Sequence, residues 1–497
     1  MDVRSRIIGV GILAAHVALT VWLSAVLNVW VDEAYTLHTT SLGLTHVAKQ
    51  ALTWELQPPL YFVLLASWRL LNGSILWARL LSVLAVALAV WASGTVASRY
   101  LGERCRLWVM AFVAFNPFVV FCATEMRVYG LAFLWSVLLM LTFHDGYLGA
   151  GSQSDRRARV LFALVAITAL YTQYFTGFLL PAFLIVLIAR RRWAQAGALS
   201  IWLALAGACL LPLAPFLSAE VRTNSVSLGR SNSFLSNLFH TTGTLYHDAL
   251  PTDWAPHGVS ILIRIGGIAA LTLLAWRSDK ATLARVALDP WIVFGVSTVL
   301  FAAATTIAHA EVNAHYADAL HIALYIALFA VASSLPGARG QRVLGWSAMV
   351  LVFVGCAALT SLCRHPAKLG DWSRVAAYVT AHEVAGERIV VFNSQSALAL
   401  GCHYHGPNPI VPLPQPVRFD RYDLHDNALH SQEEVVRGLD YRPGVHARLW
   451  LATSAGCPRT PVNFHCELLE DFVAQHYDVE LDQAFFGSRV RLLRARS

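Results

Sequence analysis

Charge is what this sequence has least of. Asp, Glu, Lys and Arg make up 13% of its 497 residues, against 57% that are hydrophobic, and the mean hydropathy is +0.54. An ordinary soluble chain is about 25% charged, so most of the surface must face something other than water. Other absences narrow the function. No Walker loop, G-x-G-x-x-G, H-E-x-x-H or G-x-S-x-G occurs, which leaves a nucleotide-driven mechanism without support. The eight cysteines show no metal-ligand spacing, and there is neither an internal repeat nor a low-complexity tract. A net charge of +7 suggests nucleic acid at first sight. The basic residues sit instead in short clusters between apolar stretches, with no basic groove or recognition motif, which excludes a nucleic-acid partner.

What is present is a succession of long apolar runs. Residues 7–29, 196–213 and 343–362 are each long enough to cross a hydrocarbon core of roughly 30 Å. Arg4 and Arg6 precede the first run, which lacks a clear small-residue cleavage site and reads as a span rather than a signal peptide. Continuing in this way predicts a polytopic α-helical membrane protein with about eleven spans, placed in the cell (plasma or inner) membrane and in contact with its lipids. With the N-terminus inside, about 16 Lys and Arg fall in short inner segments and about 6 in outer ones. The N-terminus is therefore expected in the cytoplasm and the C-terminus outside. Residues 59–71 are apolar but too short to span, which suits an interfacial helix in a first external loop over 30–79.

Hydrophobicity falls from Arg364 onward. Residues 371–378 read as an amphipathic helix, 388–392 and 448–452 as strands, 463–476 as a helix and 490–493 as a final strand. The division expected is a membrane module over 1–363 and a small extracytoplasmic α/β domain over 364–497. A Cys457–Cys466 bridge fits an oxidising compartment but is left open by the sequence. His403 and His405 lack a third ligand and read as surface residues.

In such a chain the informative residues are ionisable groups at the ends of spans, where charge is costly. Three groups fall on the outer side. Asp32 and Glu33 follow the first span; adjacent carboxylates there serve as a general base, hold a divalent cation, or cap the following helix. Glu125, Arg127 and Tyr129 follow the third span, where an Arg fork beside a Tyr suits a phosphate, or else snorkels to the interface. Glu311, His315 and Tyr316 precede the tenth span and are ordinary interfacial types taken alone. Arg264 is the main mid-span exception to this rim clustering.

Four segments occur in order: Asp32-Glu-Ala-Tyr35, Gln57-Pro-Pro-Leu-Tyr61, Arg79-Leu-Leu-Ser82 and Glu125-Met-Arg-Val-Tyr129. Together they resemble the GT-C glycosyltransferases of the protein O-mannosyltransferase and aminoarabinose-transferase superfamily. Tyr171-Thr-Gln-Tyr-Phe175 and Asp371-Trp-Ser-Arg-Val-Ala376 are similar to further family segments. The resemblance implies an inverting transferase with a polyprenyl-phosphate-linked sugar as donor and a glycan, lipid or protein as acceptor. It implies Asp32 as general base with Glu33 assisting, and Arg127 and Tyr129 on the donor phosphate. Gln57, Tyr61, Arg79, Glu125, Gln173, His315 and Tyr316 are then expected to contact substrate. Gln57, Gln173 and His315 depart from the family's usual His, His and Arg, which bears on donor contacts and on any metal near Asp32 and Glu33. The competing classes are a lipid or polyprenyl-sugar carrier, which calls for repeats and mid-membrane charge, and a membrane-anchored sensor. On this reading Asp32 and Arg127 meet at the outer rim.

Overall fold

The computed structural model describes residues 2–149, 156–218, 233–308, 316–457 and 462–496. Among them, seven helices are long and apolar enough to cross a membrane: Val3–Val26, Ile75–Leu101, Tyr129–Leu148, Trp193–Ser218, His257–Arg277, Lys280–Ile307 and Gly340–Arg364. A bent pair, Glu103–Ala114 with Pro117–Thr124, makes up to eight. About eleven are expected from the sequence, and that count is not reached on length. The helices at the remaining places, Arg156–Thr172, Tyr174–Ala189 and Asp318–Ser333, run to 17 residues at most. At about 1.5 Å per residue they extend roughly 25 Å, short of the hydrocarbon thickness. The predicted short interfacial helix is present as Leu60–Arg69.

Apolar side chains cover the outsides of these helices. His257–Arg277 has only Ser260 buried, and Leu262 and Trp276 are about 70% exposed. Patches of that extent belong in lipid rather than water.

The 60° bend in the third span has a local cause. Proline at 117 disfavours helical backbone at the residue before it, and Asn116 accordingly adopts an extended ψ of 126°. Its side chain then caps the new helix, accepting from the amides of Phe118 (3.0 Å) and Val119 (3.4 Å). The amide nitrogen of Asn116 donates to the Asp248 carbonyl at 2.8 Å.

The contacts divide the chain into two compact units. One takes Met1–Ala25, Gln57–Leu217 and Ser231–His365; the other joins Val26–Leu56 to Pro366–Ser497. The first half of the loop that reads in the sequence with the membrane module thus packs with the C-terminal residues.

The C-terminal part is a five-stranded mixed sheet with helices. Its strands are β1 (Arg388–Phe392), β2 (Ile410–Leu413), β3 (Arg448–Ser454), β4 (Tyr477–Phe485) and β5 (Ser488–Ala495), in the order β2-β1-β3-β5-β4. β1 is parallel to β2 and β3, Val390 lying opposite Val411 and Leu451, while β5 runs antiparallel to β3 and β4. The β4–β5 turn needs Gly487 at a φ of 70°. Leu449, Leu451, Leu469, Phe472 and Leu493 meet in its core. Cys457 and Cys466 are joined by a disulfide.

Candidate active site

In the second unit the acidic pair rides on a nine-residue helix, Val31–Thr39. Trp30 occupies the cap position, so Asp32 does not cap the helix; both carboxylates stand in the first turn, where the helix dipole favours negative charge. Their surroundings differ sharply. Glu33 is fully buried and lies 2.9 Å from the Lys368 ammonium, itself 9% exposed. Asp32 is only partly buried. Successive helix residues point about 100° apart, so one carboxylate can face the domain while its neighbour faces outward.

The segment is fixed on both sides of the pair. The Asn28 side chain donates to the Gly370 carbonyl (2.8 Å) and accepts from the Lys368 amide (2.7 Å). The Val29 amide donates to His403 Nε2 at 2.9 Å. Tyr35 donates to Gln395 Oε1 at 2.5 Å. The helix over Leu44–Thr53 and the residue after it are tied down as well, Gln50 donating to the Phe419 carbonyl (3.0 Å) and Trp54 to that of Arg418 (2.8 Å). His403, expected at the surface, is half-buried and receives a backbone hydrogen bond.

Glu33 thus has a cationic partner of its own in the Lys368 ammonium. Among the described residues no group of three or more His, Cys, Asp or Glu side chains is arranged to hold a metal ion.

In the first unit, Glu125, Arg127 and Tyr129 lie in and just after a short non-helical stretch between Pro117–Thr124 and Tyr129–Phe143. All three are buried. Ser82 donates to the Glu125 carbonyl at 2.6 Å, bringing the third and fourth sequence segments together. Gly130 permits the approach, for a Cβ there would stand 2.8 Å from the Cys122 carbonyl oxygen. Arg79 is 1% exposed and donates to the Ser24 carbonyl at 2.8 Å. Tyr61 is fully buried, edge-to-face with Phe62, and Gln57 lies in the turn before that helix.

The Tyr171–Phe175 segment meets the start of the Asp318–Ser333 helix. With its side-chain amide turned so that the nitrogen faces the acid, Gln173 donates to both carboxylate oxygens of buried Asp318, at 2.7 and 3.0 Å, and Phe175 packs 5.4 Å from the Tyr316 ring. His315 and Glu311 lie outside the described residues. Asp318 was not singled out in the sequence, although an acid at the head of an apolar helix is the signal that picked out the others.

A second polar cluster was also missed. His321, fully buried and stacked 3.7 Å from Phe118, faces Asp248 Oδ2 through Nε2 at 3.0 Å. Asp248 also faces His247 Nδ1 at 3.4 Å, and His247 Nε2 lies 2.8 Å from Asp253. Arg264 donates to Thr252 (2.8 Å) and lies 3.5 Å from Asp253. Burial pushes the Asp248 carboxyl up, but the two histidines outweigh it and bring it down to about 2. The hydrogen bond to Asp248 raises His247 above the ordinary histidine value. A cavity of about 260 Å³ adjoins them, lined in part by Phe118, Trp254 and Ser361.

No family model and no curated protein matches the chain. Solved structures do, among them two of ArnT from Cupriavidus metallidurans. The form bound to undecaprenyl phosphate aligns at a TM-score of 0.61 and 12% identity, covering 97% of each chain. The apo form aligns at 0.57 and 14% identity, again over 97% of each. The chain is thus a multi-pass membrane protein with the GT-C fold and a small C-terminal α/β domain.

Proposed function

We propose that this protein is an inverting membrane glycosyltransferase that moves a sugar from a polyprenyl-phosphate donor to a hydroxyl of a glycan, lipid or protein acceptor. The observation that carries this reading is the fold shared over 97% of the chain with ArnT, one solved form of which is bound to undecaprenyl phosphate. The bias of Lys and Arg between loops supports transfer on the extracytoplasmic face, with the N-terminus in the cytoplasm.

Displacement at the anomeric carbon needs a base for the acceptor hydroxyl and positive charge for the departing phosphate. Asp32 is assigned the first role, because it is the more exposed of the two first-turn carboxylates. General-base help of this kind contributes about 10²–10⁴-fold. Arg127, with its fork of donors, and Tyr129 are assigned to the donor phosphate, where fixed donors act on developing charge. Arg79, Glu125, Gln57, Tyr61, Gln173 and the 315–316 pair are assigned to shaping the donor site.

The test is mass spectrometry of envelope glycans and glycoproteins from cells with and without the protein. A sugar lost with the protein and restored by the parent chain is expected. Identical glycan profiles, together with no binding of undecaprenyl phosphate to the purified chain, would remove the proposal.

A further inference from the structure

We infer that the C-terminal domain is the positioning element for the acidic pair: Lys368 and His403 fix the helix that carries Asp32, and Glu33 is an anchor rather than a second base. The inference rests on the reading of Asp32 as the general base.

A base must come within about 2.6–3.2 Å of the proton it takes. Glu33 has no exposed surface, and Lys368 stands 2.9 Å from its carboxylate. An acceptor hydroxyl would have to displace that ammonium first. The pair is better suited to holding the helix in one rotation about its axis. A nine-residue helix with no side-chain cap is a weak unit by itself, so its orientation must come from what it packs on.

Three stretches of the C-terminal domain supply that hold. Residues 368–370 clasp Asn28 through both its amide atoms, and Lys368 reaches on to Glu33. His403 accepts the Val29 amide proton at Nε2, which places the ring's own proton on Nδ1. Gln395 receives Tyr35, one turn beyond Asp32. Residues 28, 29, 33 and 35 are thus each tied to the domain, and Asp32 lies among them. A rotation of the helix that moved Asp32 would break contacts on either side of it.

The experiment uses the full chain in lipid nanodiscs, with hydrogen exchange of residues 28–39 as one readout, product formation in complemented cells as a second, and undecaprenyl phosphate binding as a third. Lys368→Met and His403→Phe are expected to speed exchange in this segment about tenfold or more. They should lower product at least about tenfold, with binding of undecaprenyl phosphate within about twofold. His403→Gln keeps an acceptor for the Val29 amide and should retain most of the product. The double variant Glu33→Gln/Lys368→Met removes both buried charges and should recover at least about tenfold over Lys368→Met alone. A double variant as inactive as Asp32→Asn while residues 28–39 exchange at the parent's rate would make Glu33 a chemical participant and overturn the inference. Unchanged exchange in both Lys368→Met and His403→Phe would overturn it as well. Full activity of Asp32→Asn would instead refute the base assignment, and the exchange results would still report on the anchoring.

Discussion

Removing the Lys368 charge probes the anchoring energetically. Lys368→Met keeps much of the side-chain volume and takes away the cation 2.9 Å from Glu33, a residue with no exposed surface. Stripping one partner from a buried pair costs about 3–5 kcal/mol. The carboxylate can limit that cost by taking up a proton. From an ordinary Glu value of about 4.3, uptake at pH 7 costs about 3.7 kcal/mol, which sets the ceiling. The expected loss at pH 7 is therefore about 3 kcal/mol. The sign with pH follows from the same uptake. Protonation becomes easier as pH falls, so the penalty shrinks by about 1.4 kcal/mol per unit toward the Glu value. Melting of the full chain in detergent, compared with the parent at pH 5 and pH 7.5, should show a large deficit at the higher pH and a small one at the lower. Glu33→Gln/Lys368→Met removes the titrating carboxylate, and its deficit should be the same at both. For Lys368→Met, an equal deficit at the two pH values, or none at pH 7.5, would refute the reasoning.

Other outcomes follow from the same contacts. Arg127→Ala should weaken binding of undecaprenyl phosphate in detergent at least about tenfold; unchanged affinity would mean the guanidinium only reaches the interface. Ser82→Ala removes the 2.6 Å hydrogen bond to the Glu125 carbonyl and should cost about 1–2 kcal/mol while weakening donor binding; a neutral effect on both would separate Ser82 from the site. Because its partners raise His247, the stability from its pairing is fully present below the ordinary histidine pKa and is lost as pH rises through the raised value. Melting of the parent should accordingly fall over that interval by more than melting of His247→Gln, and parallel profiles would refute this. Cys457→Ser opens a loop of nine residues' separation and should cost about 2–3 kcal/mol, read as a lower melting temperature that reductant reproduces in the parent.

Much of the architecture was legible because hydropathy and period are local properties. The strand predicted over 388–392 has those bounds in the structure, and the 371–378 and 463–476 readings find helices at Trp372–His382 and Cys466–His476. β2 and β4 were not read. β2 is four residues with Pro412 inside it and Pro409 and Pro414 on either side, which hides a strand, whereas the alternation Tyr477-Asp-Val-Glu-Leu-Asp482 in β4 has the period of one. The number of spans was harder, because a helix of 16 or 17 residues carries an apolar signal while falling short of the bilayer.

At the candidate site, the acidic pair was visible because two adjacent carboxylates stand out after an apolar run. The difference between them was not visible. Glu33 meets Lys368 across more than 300 positions of sequence, and no local pattern predicts that contact. His403 looked like surface because its partner is a backbone amide, which has no sequence signature. Asp318 and His321 were passed over for the more conspicuous Glu311, His315 and Tyr316 just before them, yet it is Asp318 that Gln173 holds.

The central claim is that the carboxylate of Asp32 takes the acceptor proton. Product formation by Asp32→Asn, measured beside its binding of undecaprenyl phosphate, tests it most directly. The account predicts a loss of at least about 10²-fold in product with affinity held within about twofold. Product within about fivefold of the parent chain would contradict it.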